Sequence, residues 1–209
     1  MGMKCCGVGG EGWPRTAGRV SVLAVLIALA LLLAHPPAEA ANGDRLWALL
    51  KGGGQIVLIR HASTVPGVGD PPGFRVEDCA TQRNLSEAGR EEARRIGAAF
   101  RERGIPVGEV LSSRWCRCLE TARLAFGRAE PWPPLDSFFD DRAREPIQTS
   151  AVRAVLAEPI SGGTLVLVTH QVNITALTGI GPAAGEMVVL TRQPDGSVSI
   201  VGRVGPAAF

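Results

Sequence analysis

Three short apolar runs stand out after position 54: Gln55 to Ile59 (QIVLI), Val107 to Ser112 (VGEVLS) and Thr164 to Thr169 (TLVLVT). The first is bounded by Gly52-Gly53-Gly54 and is too short for a helix, so it predicts a buried strand; the other two read the same way. Between them the period changes. Leu85, Ala88, Ala93, Ile96, Ala99 and Phe100 recur at helical spacing, with Ser86 placed to cap the N-terminus and Gly104 to end the helix. Trp115 to Phe126 predicts a second helix, and Ile147 to Leu156 an amphipathic one with Ala151, Val152, Val155 and Leu156 on one face. A short helix is expected over Asp44 to Lys51, and a Pro- and Gly-rich loop over Ser63 to Arg83.

Near the C-terminus, Glu186 to Leu190 and Ser197 to Val201 flank Gln193-Pro194-Asp195-Gly196, the pattern of a hairpin. Strands that alternate with helices and are this apolar predict a three-layer α/β/α sandwich with a mostly parallel central sheet and a C-terminal hairpin. No internal repeat or second globular domain is evident.

The N-terminus follows a different pattern. Lys4, Arg15 and Arg19 precede an apolar run, Val20 to Ala34, which is followed by Pro36, Pro37 and Ala38-Glu39-Ala40. A positive region, a short apolar region and an A-x-A site predict a signal peptide over residues 1–40, cleaved before Ala41. Retention as a membrane anchor is the alternative, disfavoured because the run is short for a bilayer. The expected location is periplasmic or secreted. Removing residues 1–40 from the 209 leaves 169, the size of one domain, at 41–209.

Composition narrows the function. At 45% hydrophobic, 20% charged and a formal net charge of +2, the chain is neither disordered nor basic enough to imply a nucleic-acid partner. Loss of the signal takes three basic and two acidic residues, so the charge falls to +1, and it takes His35. His61 and His170 remain, and each directly follows an apolar strand, in IVLIRH and LVLVTH. Ligands of open α/β sheets bind at the carboxyl ends of the strands. A single histidine there is more often structural; two at the same sheet edge point to a site.

An unprotonated imidazole is a nucleophile toward phosphorus, and a second, protonated one can stabilise the group in transfer. Arg60 adjoins His61, and the second strand runs into Ser112-Ser113-Arg114-Trp115-Cys116-Arg117, bringing further guanidinium groups and a helix N-terminus to the same edge. These groups suit a dianionic phosphate.

With Arg60-His61-Ala62, Leu85-Ser86-Glu87-Ala88-Gly89-Arg90, the S-S-x-x-x-R-x-x-x-T-A pattern at 112–122 and Val168-Thr169-His170 in that order, the chain resembles the histidine phosphatase superfamily, also called phosphoglycerate mutase-like. The likeness runs from about Gln55 to Leu190. It implies that His61 is the nucleophile that becomes phosphohistidine, and that Arg60, Arg117 and His170 hold the phosphoryl oxygens. Ala62 stands where many members have Gly, and Arg114 where many have Pro. The leaving-group acid is the larger departure. The Glu motif of mutase-type members is missing, and Gln171 replaces the Asp that follows the second histidine in phytase-type members. The expected acid lies between Asp136 and Glu145, with Asp141 favoured, Asp140 next, and Asp136 and Glu145 also open, since adjacent carboxyls beside Phe138 and Phe139 would be desolvated.

Cys79, Cys116 and Cys118 remain after signal removal. One disulfide is expected, tying the Cys79 loop to the turn that carries Arg117; Cys116 and Cys118 are poorly spaced to pair with each other. A cysteine-phosphatase loop would place Arg six positions after a cysteine, where this chain has Leu85, Ala122 and Leu124. Too few ligand candidates remain for a catalytic zinc, and no cofactor is expected.

The run from Arg60 to Ser86 looks most like the small secreted branch that includes lipopolysaccharide core heptose phosphate phosphatases, implying a small-molecule or glycolipid phosphate ester as partner, with the membrane involved only through an uncleaved signal. The expected activity is a metal-independent phosphomonoesterase. A non-catalytic binder of phosphorylated envelope components and a phosphoglycerate-type mutase are the alternatives.

Overall fold

The computed structural model describes Gly2 and residues 38–209. Residues 1 and 3–37, which hold most of the expected signal segment, lie outside the described residues. The unit from Ala38 to Phe209 contains helix α1 (Ala38–Lys51), strand β1 (Gln55–Arg60), α2 (Glu87–Glu102), β2 (Val107–Ser112), α3 (Cys116–Phe126), β3 (Glu130–Pro131), α4 (Glu145–Ala157), β4 (Thr164–Thr169), α5 (Gln171–Thr178), β5 (Met187–Arg192) and β6 (Val198–Val204). The expected helix at Asp44 begins six residues earlier, so the anticipated cleavage position falls inside α1.

The sheet order is β3-β2-β4-β1-β5-β6, with β1, β2, β3 and β4 parallel and β5 and β6 added antiparallel as the hairpin. Side chains alternate across each strand, and the buried residues sort accordingly. Val57, Ile59, Val110, Val166, Val168 and Val189 face α1, α2 and α3. Ile56, Leu58, Leu111, Leu165, Leu167 and Val188 face α4 and α5. Both faces are covered at the centre of the sheet, which is why β1 and β4 read as unbroken apolar runs. The result is the α/β/α sandwich anticipated from the pattern.

Two elements were not visible in the pattern. Helix α5 (QVNITALT) has only eight residues and is rich in β-branched side chains, which carry little helical signal. Strand β3 is a two-residue edge strand ending in Pro131, where a missing N–H costs nothing.

The fold holds the end of β1 tightly. Ser86 caps α2 by accepting a hydrogen bond from the Gly89 N–H at 3.0 Å. A Cβ on Gly89 would lie 1.8 Å from the Ser63 carbonyl oxygen, so only glycine lets the first turn of α2 rest on the segment after His61. Glu92, buried on α2, accepts the Ser63 N–H at 2.8 Å.

Candidate active site

Strand pairing builds the site. Arg60 lies opposite Thr169 in the parallel β1/β4 ladder, so the next residue on each strand, His61 and His170, emerges at the same carboxyl edge. The His61 N–H donates to the Thr169 carbonyl at 2.9 Å, and the ring centroids stand 5.4 Å apart at 67°. Helix α3 is tied in by Thr121, whose hydroxyl donates to the Arg117 carbonyl at 2.7 Å and accepts from the Ala62 N–H at 3.1 Å. That places Arg117, 4% exposed, beside both histidines.

These side chains open into a cavity of about 390 Å³ whose lining includes Arg60, His61, Arg83, Arg117 and His170. The neighbouring walls come from Gly67 to Asp70 and from Ser137, Phe139, Asp140 and Arg142, with Gln171 and Val172 at the start of α5. Four guanidinium groups and two carboxylates line the cavity, leaving two positive charges.

The electrostatics of the histidines follow first from burial and then from the neighbouring guanidiniums. Burial pushes the His61 pKa down to about 3, and the guanidiniums of Arg117, Arg60 and Arg83 add to the effect despite the hydrogen bond to Ala62. His61 is therefore neutral near pH 7. Its Nδ1 lies 2.9 Å from the Ala62 carbonyl, which can only accept, so Nδ1 carries the hydrogen and Nε2 keeps its lone pair.

His170 is also neutral, its pKa driven well below the usual histidine range first by burial and then by Arg117, His61, Arg60 and Arg83. Its Nδ1 faces Arg117 Nη2 at 3.5 Å, and Nε2 lies 2.8 Å from Ser113 Oγ. Arginine only donates, so the proton sits on Nε2 and passes its hydrogen bond to Ser113, whose hydroxyl lies 3.3 Å from Asp136. The protonated second imidazole expected from the sequence thus gives way, with no anion bound, to a neutral one.

The carboxylates are arranged differently from the sequence expectation. Asp141 is exposed and outside the cavity lining. Asp140 lines the cavity and is exposed too, so the desolvation argued for this pair from Phe138 and Phe139 is absent; Phe138 turns inward and Phe139 outward. Asp136 is buried and committed to Arg114, accepting from its N–H at 2.9 Å, Nε at 2.8 Å and Nη2 at 2.6 Å. Glu145 is outside the lining and pairs at 3.7 Å with Arg142, which is part of it.

Asp70 and Arg83 are charged lining residues that the sequence pattern did not single out. Asp70 accepts from Arg117 Nη1 at 2.8 Å and Nη2 at 3.1 Å, from the Arg83 N–H at 2.9 Å and from Trp115 Nε1 at 2.9 Å. Burial raises its pKa, but these hydrogen bonds outweigh burial and hold it below the ordinary aspartate value. Arg83 donates to the Gly69 carbonyl at 2.8 Å, the Gly67 carbonyl at 3.0 Å and Thr64 Oγ1 at 2.6 Å. Both belong to the Pro- and Gly-rich loop, where no periodicity marks a side chain that folds inward.

Cys79 and Cys116 form the disulfide, so the bridge joins the Arg83 loop to the residue before Arg117. Cys118 is free and buried, its thiol pushed up to about 12, chiefly by burial. Among the described residues no group of three or more His, Cys, Asp or Glu could hold a metal ion, and no helix is long and apolar enough to cross a membrane.

Residues 56–145 match the histidine phosphatase superfamily, branch 1. That span holds Arg60, His61, Asp70, Arg83, Arg117 and Asp140, while His170 lies beyond it. No curated protein sequence matches the chain.

Solved structures share the fold. The protein histidine phosphatase SixA complexed with tungstate superposes with a TM-score of 0.54 at 16% identity, over 73% of this chain and 97% of that one. A phosphoserine phosphatase mutant from Entamoeba histolytica, bound to phosphoserine, gives 0.54 at 13%, over 74% and 98%. The alpha-ribazole phosphatase from Shigella flexneri gives 0.51 at 16%, over 70% and 94%.

Proposed function

We propose that this protein is a phosphomonoesterase that works through a phosphohistidine at His61. The observation that carries the reading is geometric: His61 and His170 emerge at one sheet edge in a cavity also lined by Arg60, Arg83 and Arg117, with the hydrogen bond from His61 Nδ1 to the Ala62 carbonyl leaving Nε2 its lone pair. The superfamily match over residues 56–145 supports it. Arg60 Nε and Arg117 Nε have no hydrogen-bond partner among the described residues, so neither arginine has its donors fully used.

In the reaction, His61 Nε2 attacks phosphorus, the P–O ester bond breaks, and the alcohol oxygen leaves with a proton supplied from the cavity mouth. Arg60 and Arg117 stabilise the equatorial oxygens. His170 joins them by taking up a proton at Nδ1 as the dianion binds, since the dianion offsets the guanidinium charges that add to burial in keeping this imidazole neutral. Water then attacks phosphorus, the P–N bond breaks, and phosphate departs. Asp140 is the acid we assign, because among the carboxyls from Asp136 to Glu145 it is the one that lines the cavity. Asp70 is unsuited to the task, since its hydrogen bonds favour the charged form.

We place the reaction outside the cytoplasm, with residues 1–40 as the export signal. The apolar run of the sequence and the Cys79–Cys116 disulfide support that location, since such bridges persist in oxidising compartments. The reaction needs no metal. The substrate is a phosphate monoester, and the envelope sugar phosphate implied by the sequence resemblance is its polar candidate.

The test is phosphate release from a panel of monoesters in EDTA, together with quenching of the enzyme during turnover in alkaline denaturant, which preserves a phosphohistidine. Acid-labile phosphate on the wild-type protein, absent from His61→Ala along with release, is expected. Binding of phosphate without release by the wild type would favour a non-catalytic binder.

A further inference from the structure

The cavity has a polar floor and a partly apolar mouth. Five large hydrophobic residues are exposed among those described, and two of them, Val68 at 89% and Phe139 at 47%, line this one cavity. Single exposed apolar residues need no explanation, but two converging on a concave site do. Val172, half-buried at the start of α5, adds a third apolar side chain to the lining.

Neither exposed residue sits on a loose segment. Val68 stands between Gly67 and Gly69, whose carbonyls are both held by the Arg83 guanidinium, and the next residue is the buried Asp70. The Phe139 N–H donates to Ser137 Oγ at 3.2 Å, and Phe138 beside it is buried at 1%. The two walls meet: a Cβ on Gly69 would lie 3.9 Å from Phe139 Cε1. Backbone anchoring therefore presents Val68 and Phe139 to whatever enters.

We propose that the substrate's leaving group is an apolar alcohol, packed by Val68 and Phe139 at the mouth while its phosphate lies on the arginines below. This rests on the phosphomonoesterase reading and narrows it, because a polyhydroxyl sugar would leave both side chains in water. Two sources share the chemistry, an aromatic alcohol and an aliphatic chain.

The experiment compares kcat/KM for glycerol 3-phosphate, hexyl phosphate and benzyl phosphate, all of which release a primary alcohol, with the full chain. Hexyl or benzyl phosphate is expected to exceed glycerol 3-phosphate by about tenfold, the scale of a modest apolar contact in a pocket. Preference for benzyl alone identifies an aromatic leaving group, and preference for hexyl alone a chain.

In Val68→Ser and Phe139→Ser the ratio of apolar to polar ester collapses toward one, whereas Ile147→Ser, an exposed apolar residue away from the cavity, leaves the ratio intact. Using the ratio keeps the test valid if a variant merely loses folded protein. Equal rates for all three esters in the wild type overturn the apolar leaving group while the phosphatase stands. Release from none of them, with no phosphohistidine trapped, removes both.

Discussion

Asp70 and Arg117, 47 residues apart, meet end-on inside the cavity, with the carboxylate accepting from both terminal nitrogens of a guanidinium that is 4% exposed. The pair fixes the plane of Arg117 beside His61 and His170, and it also withdraws one positive charge from a site that would otherwise hold anions more tightly. A product phosphate released from this cavity leaves a site that Asp70 has already partly neutralised.

Asp70→Asn keeps the shape and removes the charge. Leaving Arg117 buried without its counter-ion is expected to cost about 3 kcal/mol of stability. Product inhibition should sharpen, with the inhibition constant of inorganic phosphate falling several-fold as kcat drops. Urea unfolding and phosphate inhibition measured on the same preparation check both parts. Weaker phosphate inhibition would show that alignment of Arg117, rather than charge, is what Asp70 contributes.

The neutral histidines set the pH behaviour. His61 is expected to remain a nucleophile well below pH 6, because its pKa lies at about 3. The acid limb of kcat/KM should then follow the second ionisation of the ester, near pH 6 for a typical phosphomonoester. It should move when esters of lower second pKa are used. A limb fixed in pH across such a series would show that an enzyme group titrates instead.

The same shift predicts acid lability. An unfolded histidine binds its proton below about pH 6.5, while folded His61 resists until about pH 3. Through that window the unfolded chain carries more protons, so stability is complete above pH 6.5 and is lost as pH falls, by up to about 1.4 kcal/mol per pH unit for each such histidine. His170 acts in the same direction. Urea midpoints from pH 7 to 4.5 should decline less steeply in His61→Asn than in the wild type; parallel slopes would contradict the assigned shift.

Asp140 and Asp141 are adjacent in sequence but differ in place, and that difference can be read kinetically. Asp140→Asn should lower kcat by about a hundredfold for alkyl phosphates, the usual scale of a lost general acid, and much less for an aryl phosphate whose leaving group needs no proton. Asp141→Asn, outside the cavity lining, should stay within about twofold for both. A selective loss in Asp141→Asn would return the role to the residue that the sequence pattern favours.

The sequence already contained the central strands, because β1 and β4 are buried on both faces and must be apolar, while β2 is buried only over Val110 to Ser112. It also contained the convergence of His61 and His170, since strand ends of a parallel sheet share an edge. Arg117 was legible only through its motif, as nothing in its helical spacing separates it from Arg114. The structure does separate them: Arg114 holds Asp136, and Arg117 turns into the cavity. Asp70 and Arg83 lie in the Pro- and Gly-rich loop and had no task of their own in the pattern, because an irregular loop has no period from which to infer an inward face. Asp141 was preferred on an argument from neighbouring phenylalanines, and the backbone turns Phe138 in and Phe139 out, so the pair of rings never encloses the carboxyls.

The disulfide links these observations. Cys79–Cys116 closes a separation of 37 residues and joins the loop that carries Arg83 to the residue preceding Arg117. Closing a loop of that length is expected to stabilise the fold by about 2–4 kcal/mol, mostly by restricting the unfolded chain. Its position gives it a second effect. The Cys116 N–H donates to Gln82 Oε1 at 2.9 Å, and Arg117 Nη1 lies 3.4 Å from the Arg83 carbonyl, so the bridge spans the seam between two cavity walls. Cys79→Ser with Cys116→Ser should therefore lower the melting temperature and also raise KM for a small phosphomonoester more than it lowers kcat, measured well below the new melting point. If KM in the double variant matched the wild type at a temperature where both are fully folded, the bridge would act on stability alone.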